Sequence, residues 1–307
     1  MKEITLRAPA TSANVGPGYD IFAMALKEPY DEIKLALNDT GKINIKIVGD
    51  TQNIPVNVHD NTAGLAVLGL LKRKKINQGV NITIIKNMTS GGGLGTTGAS
   101  AAACIFGLNK LLDLDLPDNE MIDLARMGEI ASGGSPHADN VAAALLGGFV
   151  LVKSYNPIDV LKLDIPEFPF VLAVIKKSQR TTRGFITYEI GQEKLKEQMA
   201  RCSRVIHAIH TKDIKEFGSA VSVDYIHEPV RAAAIPEYKE VKRKILDSGA
   251  YGCNISGGGS SVFAVCDEND IENIADIMQK GFAQNPYFVK VYKTKVSNKG
   301  VQIISED

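Results

Sequence analysis

The chain has 307 residues, 44% of them hydrophobic and 23% charged, with Lys plus Arg equal to Asp plus Glu at 35 each. That is globular composition in a chain long enough to bury a core without disulfides, and it excludes disordered and fibrous classes. Zero net charge argues against a dedicated nucleic-acid binder, which carries a basic excess, and still allows a local positive pocket for an anionic ligand. Cys104, Cys202, Cys253 and Cys266 form no CxxC pair and stand near no His at zinc-like spacing. They read as buried thiols in a reducing compartment. The N-terminus has no apolar signal core, and no apolar run approaches the roughly 18–20 residues of a membrane span. The expectation is a soluble, cytoplasmic protein with no nucleic-acid or membrane partner.

Strand patterns, rich in β-branched residues with period-two alternation, recur at 4–7, 32–37, 43–48 and 80–86. A helix is predicted over 61–75, opening at an Asp60/Asn61 cap and closing in Lys72-Arg73-Lys74-Lys75. That basic run suits a solvated helix C-terminus better than a nucleic-acid patch. A glycine-rich stretch then opens a helix of small residues over 99–112, and another is predicted over 118–132 with Asp118 as its cap. Strands follow at 149–153 and 170–176, then helices at 193–210, 214–223 and 237–247. Strands at 252–255 and 262–266 flank Gly257-Gly258-Gly259, and a helix from 270 and a strand at 288–294 close the chain. The β-α-β-β-α-β order of this half predicts a ferredoxin-like layer with extra helices in its first crossover. The class is α+β in two lobes, residues 1–160 and 161–307.

Ser90-Gly91-Gly92-Gly93-Leu94-Gly95-Thr96-Thr97-Gly98-Ala99-Ser100 is the most informative stretch. Its glycines permit positive φ and close backbone approach, and the following helix points free N–H groups and its positive dipole end at the loop. Together these form an anion site suited to a phosphate chain. Thr96, Thr97 and Ser100 add hydroxyls for phosphate or a magnesium shell. No Lys follows the glycines, so this is not a Walker A loop. Residues 93–98 match G-x-G-x-x-G literally, but the next helix leads to another helix rather than to a parallel strand ending in an acid. A plain loop before a packing helix is the third alternative. Glu129 is a candidate magnesium carboxylate, or a solvated helix residue. The polar run Ser135–Asn140 reads as a helix cap before an apolar segment, and Gly257–Gly259 as a hairpin turn.

Taken together, three segments resemble the three motifs of the GHMP kinases. Residues 9–20, Pro-Ala-Thr-Ser-Ala-Asn-Val-Gly-Pro-Gly-Tyr-Asp, are similar to the first motif as the homoserine-kinase branch writes it. Residues 91–100 resemble the phosphate loop and 255–261 the third motif; His137-Ala138-Asp139-Asn140-Val141-Ala142 with Gly147-Gly148 is also similar to that branch. The chain departs from the pattern in Thr96-Thr97 for serines, Gly98 for Ala and Ser260 for Pro. The hydroxyl chemistry survives those changes.

The resemblance implies the GHMP two-lobe fold, with an N-terminal ribosomal-protein-S5-like lobe and a C-terminal ferredoxin-like lobe. It implies ATP-dependent phosphorylation of a small-molecule hydroxyl, homoserine foremost. First motifs of the mevalonate and galactose branches are Lys- or Arg-rich, and this chain offers Asn14 there, with no Lys between Arg7 and Lys27. ATP phosphates would lie on residues Ser90 to Ser100, with Asn61 beside adenine and magnesium on Thr97 and Glu129. Asp20 would take the substrate ammonium, and Arg183 and Arg231 its carboxylate, since a guanidinium fork pairs bidentately. Asn14 and Asn140 would orient the hydroxyl, with His137 a hydrogen-bonder nearby and Asp139 orienting the loop rather than acting as a base. A homodimer is compatible with this reading. A kinase for another small hydroxy acid or alcohol, such as mevalonate or shikimate, and a non-catalytic ligand-binding regulator are the rivals.

Overall fold

The computed structural model describes residues 2–49, 54–177 and 190–306. The chain begins with β1 (Glu3–Ala13), β2 (Phe22–Asn38), β3 (Ile43–Gly49), α1 (Thr62–Lys74) and β4 (Gly79–Lys86). Then come α2 (Thr96–Leu111), α3 (Asp118–Gly128), the single turn α4 (Ile130–Gly133), α5 (Asp139–Leu146), β5 (Phe149–Tyr155) and β6 (Ile158–Leu163). Among the described residues the first sheet runs β11-β1-β2-β4-β3, with β5 beside the start of β2 and β6 beside β5; β11 is the last strand of the chain (Gln302–Glu306). β3 and β4 are parallel, which the α1 crossover makes possible.

α2 lies centrally, against β1 and β2 and among α1, α3 and α5. Its small residues are buried nearly all round, as a helix enclosed on every side requires. α1 is capped as its sequence predicts: the Asn61 Oδ1 accepts from the Ala63 and Gly64 N–H groups, and Lys75 closes the helix in a left-handed conformation. Its basic end is paired with α3 through Arg73–Asp123 (2.9 Å) and Lys74–Glu120 (2.7 Å). α3 corrects the expectation in two respects. Pro117 holds the cap position, so Asp118 is the first helical residue, and regular helix stops at Gly128 instead of reaching Ser132. Only glycine fits at this point, since a Cβ on Gly128 would lie 2.2 Å from the Thr62 carbonyl oxygen, and one further helical turn, α4, follows Glu129.

The second sheet holds β7 (Pro169–Ile175), β8 (Gly252–Ile255), β9 (Val262–Val265) and β10 (Phe288–Lys295) in the antiparallel order β10-β7-β9-β8, the ferredoxin-like order. The first crossover carries α6 (Gln192–Thr211), α7 (Ile214–Val221), α8 (Glu228–Arg231) and α9 (Tyr238–Asp247), and the second carries α10 (Ile271–Gly281). β7 is buried on both faces. Phe170, Leu172 and Val174 join the large core beneath the first sheet, while Val171, Ala173 and Ile175 pack with Val241, Ile245, Ile274 and Met278. One strand therefore ties the two lobes together.

The expected boundary at 160 falls inside β6, which pairs with β5 in the first sheet. Residues 164–168 connect β6 of the first sheet to β7 of the second. Nor does the second lobe keep the end of the chain, because β11 returns to pair with β1. β6 and β11 escaped the sequence pattern: both are short and neither has a fully buried residue, so they carry little alternation.

Where β4 turns toward the glycine loop, Lys86 forms a buried ion pair with Asp31 of β2. The other Asp31 oxygen accepts the Asn87 and Met88 N–H groups, both at 2.8 Å. Burial pushes the Asp31 carboxyl above the usual carboxylate range, against the opposing pull of Lys86. Asp31→Asn keeps the shape and leaves a buried ammonium without its counter-charge. A loss of about 3–5 kcal/mol in urea unfolding is expected, with much of it recovered in Asp31→Asn/Lys86→Met. A single variant as stable as the parent would show that the pair does not anchor the loop stem.

Candidate active site

Three glycine-bearing segments, far apart in sequence, interlock through their backbones. The Thr11 N–H donates to the Leu94 carbonyl (3.0 Å), the Gly257 N–H to Ala13 (3.1 Å) and the Ser261 N–H to Gly92 (3.1 Å). The Ser256 hydroxyl bridges the Ser12 hydroxyl (2.9 Å) and the Gly93 carbonyl (3.0 Å). The 257–259 turn does join β8 to β9 as a hairpin, and it also holds the other two segments in register. Two glycines are sterically obligatory. A Cβ on Gly93 would lie 2.5 Å from the Ser256 carbonyl oxygen, and one on Gly95 only 1.9 Å from Thr11 Oγ1 and 2.5 Å from Asn140 Oδ1. Both residues have positive φ.

Gly95 is also the cap residue of α2, and it provides no side chain to the first amides. α3, α5, α6 and α10 likewise lack a side-chain cap, so what sets α2 apart is the glycine loop that precedes it. The exposed turn at Gly91 faces open space, since a Cβ there would meet nothing within 4 Å. A glycine cradle ending at an uncapped, buried helix start has the donors and dipole for a phosphate chain. Thr96 is buried and Thr97 half-buried at this start. The Ser100 hydroxyl turns into the helix, donating to the Thr96 carbonyl (3.0 Å), away from the loop.

Glu129 sits at the junction of α3 and α4. The neighbouring Gly128 rests on Thr62, whose hydroxyl donates to the Thr97 carbonyl (3.3 Å), so a short chain of contacts links Glu129 to the loop. A Thr hydroxyl and a carboxylate are hard oxygen donors that suit magnesium, which takes its remaining ligands from phosphate and water. Among the described residues no cluster of three His, Cys, Asp or Glu exists that would cage a metal by itself.

On the other side of Gly95, Asp139 is fully buried as the first residue of α5, whose cap position is Ala138. Its Oδ1 accepts the Asn140 N–H (2.7 Å) and, more weakly, Asn140 Nδ2 (3.4 Å). Asn140 Oδ1 accepts from the Thr11 hydroxyl (2.7 Å), which fixes this amide beneath the start of α2. Asn14, in a left-handed conformation, donates to the Gly257 carbonyl (3.1 Å) and accepts the Asp20 N–H (3.0 Å). The Asp20 carboxylate lies 3.6 Å from His137 Nδ1. Arg231, 6% exposed, donates through Nε to His227 Nε2 (3.3 Å), and the His227 ring is 6.1 Å from that of Tyr19. Asn61 uses Oδ1 in its cap and gives an Nδ2 hydrogen to the Pro55 carbonyl (2.7 Å), leaving one hydrogen for any ligand. Arg183 lies outside the described residues.

Several residues that build the site were not singled out from sequence. Buried Asp224 collects the N–H groups of Ile226, His227 and Glu228 and so shapes the turn into α8 that carries Arg231. Burial outweighs those donors and pushes its carboxyl up. Gln198 links Asp224 (2.9 Å) to the Pro17 carbonyl (2.8 Å), tying this turn to the first glycine segment. An Asp four residues ahead of Glu228-Pro229 is a turn signal that could have located the first. Gln198, on an otherwise polar helix, carries no such signal. Tyr155 donates to the Asp20 carbonyl (2.7 Å) from the end of β5, also without a sequence signal.

A glycine cradle suited to a phosphate chain, with the polar side chains of Asn14, Asp20, His137 and Asn140 gathered beside it, is the arrangement a small-molecule kinase needs. Residues 61–148 match the family model for the GHMP kinases N terminal domain and residues 205–284 that for the GHMP kinases C terminal, and the chain belongs to the GHMP kinase family. It is a phosphotransferase acting on a hydroxyl group. The chain is 36% identical to the homoserine kinase of Methanococcus vannielii and 37% to that of Methanococcus maripaludis, in each case over 95% of this chain and 97% of the relative. Its fold superposes on the crystal structure of homoserine kinase from Cytophaga hutchinsonii with a TM-score of 0.91, at 34% identity, covering 99% of this chain and 98% of the other.

The interlock makes two glycines behave differently. Gly95→Ala must displace Thr11 and Asn140, and a turnover loss of at least about a hundredfold is expected from such misplacement. Gly91→Ala meets no neighbour and should cost only the left-handed strain, about 1–2 kcal/mol, in thermal unfolding. Steady-state ADP release and melting curves on both variants check this. Equal behaviour of the two would contradict the interlock.

Proposed function

We propose that this chain transfers the γ-phosphoryl group of ATP to the side-chain hydroxyl of L-homoserine, giving O-phospho-L-homoserine in threonine biosynthesis, as a cytoplasmic enzyme. The observation that carries the reading is the placement of Asn140 against Gly95, with Asp20, Asn14 and His137 alongside. A hydroxyl-orienting amide thus adjoins the phosphate cradle, and an anion for an ammonium lies next to it. The full-length likeness to homoserine kinases supports the same acceptor.

The loop from Ser90 to Thr97 and the first amides of α2 bind the phosphates, with the remaining Asn61 hydrogen available toward adenine. Thr97 and Glu129 would hold magnesium, which supplies charge neutralisation on the phosphate oxygens. Asp20 receives the substrate ammonium; Arg231 and Arg183 receive its carboxylate. Asn140 and Asn14 hold the hydroxyl oxygen in line. The new O–P bond forms as the bond to the ADP oxygen breaks, and the hydroxyl proton is released. Such a transfer can proceed through positioning and charge stabilisation without early deprotonation. Asp139 fits an orienting role, since its Oδ1 already takes two donors of Asn140.

Adding homoserine to enzyme, ATP and magnesium should therefore release ADP. Serine, one methylene shorter, should be roughly 10–200-fold less efficient. Mevalonate should be rejected further, because Asp20 would face no cation. Comparable efficiency with mevalonate would overturn the acceptor, and no ADP with any acceptor would point to a regulator. Glu129→Gln should cut turnover strongly with the fold intact.

Asp139→Asn should keep turnover within about tenfold, short of the 10²–10⁴ a general base supplies. Asn140→Ala should lose about a hundredfold. A loss beyond about a thousandfold in folded, ATP-binding Asp139→Asn would make Asp139 the base.

A further inference from the structure

The first half of α6 stands in solvent: over 191–200 every residue is exposed except Gln198, which is 3% exposed. A helix face that had only to pack would bury an apolar residue there. Gln198 buries an amide instead, and three of its four hydrogen-bonding positions are used. Nε2 donates to the Pro17 carbonyl (2.8 Å) and to Asp224 Oδ1 (2.9 Å), while Oε1 accepts the Tyr225 N–H (2.8 Å). The partners fix which end of the amide is which, since a carbonyl and a carboxylate accept and a peptide N–H donates.

These partners belong to different parts of the chain. Pro17 lies in the first glycine segment, three residues before Asp20. Asp224 and Tyr225 lie in the turn before α8, where Asp224 also accepts the N–H groups of Ile226, His227 and Glu228. Arg231, at the end of α8, is buried and bonded to His227 of the same turn (3.3 Å), so it follows that turn. Other attachments of α8 run to its own lobe. Glu228 accepts from Lys242 (2.5 Å) and from the Tyr238 hydroxyl (2.7 Å) of α9, and Lys242 donates again to the Ser222 carbonyl (2.6 Å). Toward the glycine segment, the Tyr19 and His227 rings stand 6.1 Å apart and Gln198 makes the hydrogen-bonded bridge. The Cys202 thiol, a weaker donor, shares the Pro17 carbonyl (3.3 Å).

We propose that Gln198 is a positioning residue that holds α8 in register with the glycine segment carrying Asp20, and so places Arg231 for the carboxylate of the acceptor. The inference rests on the amino-acid acceptor proposed above and adds a group, remote from the ligand, that decides how well its carboxylate is met. Without the amide, α8 keeps its hold on α9 through Glu228, so the fold survives. The glycine segment keeps its own ties, Asn14 to Gly257 and to the Asp20 N–H, and Thr11 to Asn140. What is lost is the register between the two. The guanidinium then meets the carboxylate at the wrong distance, while the groups for the ammonium and the hydroxyl stay in place.

The test is Gln198→Met, which keeps the length of the side chain and removes the amide. Turnover and KM would be measured for homoserine and for 3-aminopropan-1-ol, which is homoserine without its carboxylate, together with the ATP KM and the melting temperature. The expected result is a homoserine KM raised about 10–100-fold with kcat held within about threefold, the mark of lost binding remote from the reacting atoms. Efficiency with 3-aminopropan-1-ol and the ATP KM should each stay within about twofold, so the preference for homoserine falls at least about fivefold. An unchanged preference, or equal losses with both acceptors, overturns the assignment and marks a merely structural amide. A parent that does not turn over homoserine, or that uses both acceptors equally, overturns the acceptor reading itself, and the two failures are thereby distinguished. Should Gln198→Met melt below the assay temperature, Gln198→Asn, which keeps a buried amide one methylene shorter, carries the same expectation; a parent-like preference in that folded variant overturns the proposal.

Discussion

Three stretches of backbone, at residues 11–14, 92–95 and 256–261, approach one another closely enough to exchange main-chain hydrogen bonds, and this contact organises the molecule. Buried backbone groups must find partners, and these find them in one another although the segments lie far apart in the chain. Such closeness is possible only where Cβ atoms are missing, at Gly93 and Gly95. The contact leaves α2 with a glycine at its cap and a glycine loop before it, so the helix start is available to an anion. The structural solution and the binding site are the same feature.

The lobes are arranged to hold that contact. β7 contributes side chains alternately to two cores, and β11 returns to the first sheet after the second is complete. The loop stems are held by buried polar groups: Asp31 with Lys86 beneath the phosphate loop, and Asp224 with Gln198 beneath the turn into α8. Groups of this kind cost desolvation, and well-packed apolar residues often stabilise as well or better. What they provide here is direction. Each carboxylate gathers several specific N–H donors, and an apolar side chain could not dictate the path of those loops.

The candidate site is shaped by side chains bonded within the protein. Asn14, Tyr155 and Asp139 bond to main chain and Thr11 to the Asn140 amide oxygen, and through them Asp20 and Asn140 take up their places. Preorganisation of this kind favours phosphoryl transfer, where alignment and charge stabilisation supply most of the acceleration.

The sequence alone determined the local chemistry. The small-residue run after the glycines dictated an enclosed helix, Asn61 and Lys75 marked the ends of α1, and strand alternation placed the ferredoxin-like order, because these features depend on near neighbours and on periodicity. The three glycine segments were legible as a family pattern, and the candidate roles of Asp20, Asn140, Thr97 and Glu129 came with it. Tertiary structure alone decided what those residues touch. That the Asn140 amide meets the Thr11 hydroxyl and that Asn14 reaches the Gly257 carbonyl are outcomes of packing. So is the meeting of Tyr155 with Asp20, 135 residues apart, on one carbonyl oxygen. β6 and β11 belong here too, since their pairing partners, not their own weak alternation, make them strands. Periodicity and composition report which face a residue turns toward the core. They do not report which distant peptide group waits there, and that is settled only when the chain closes.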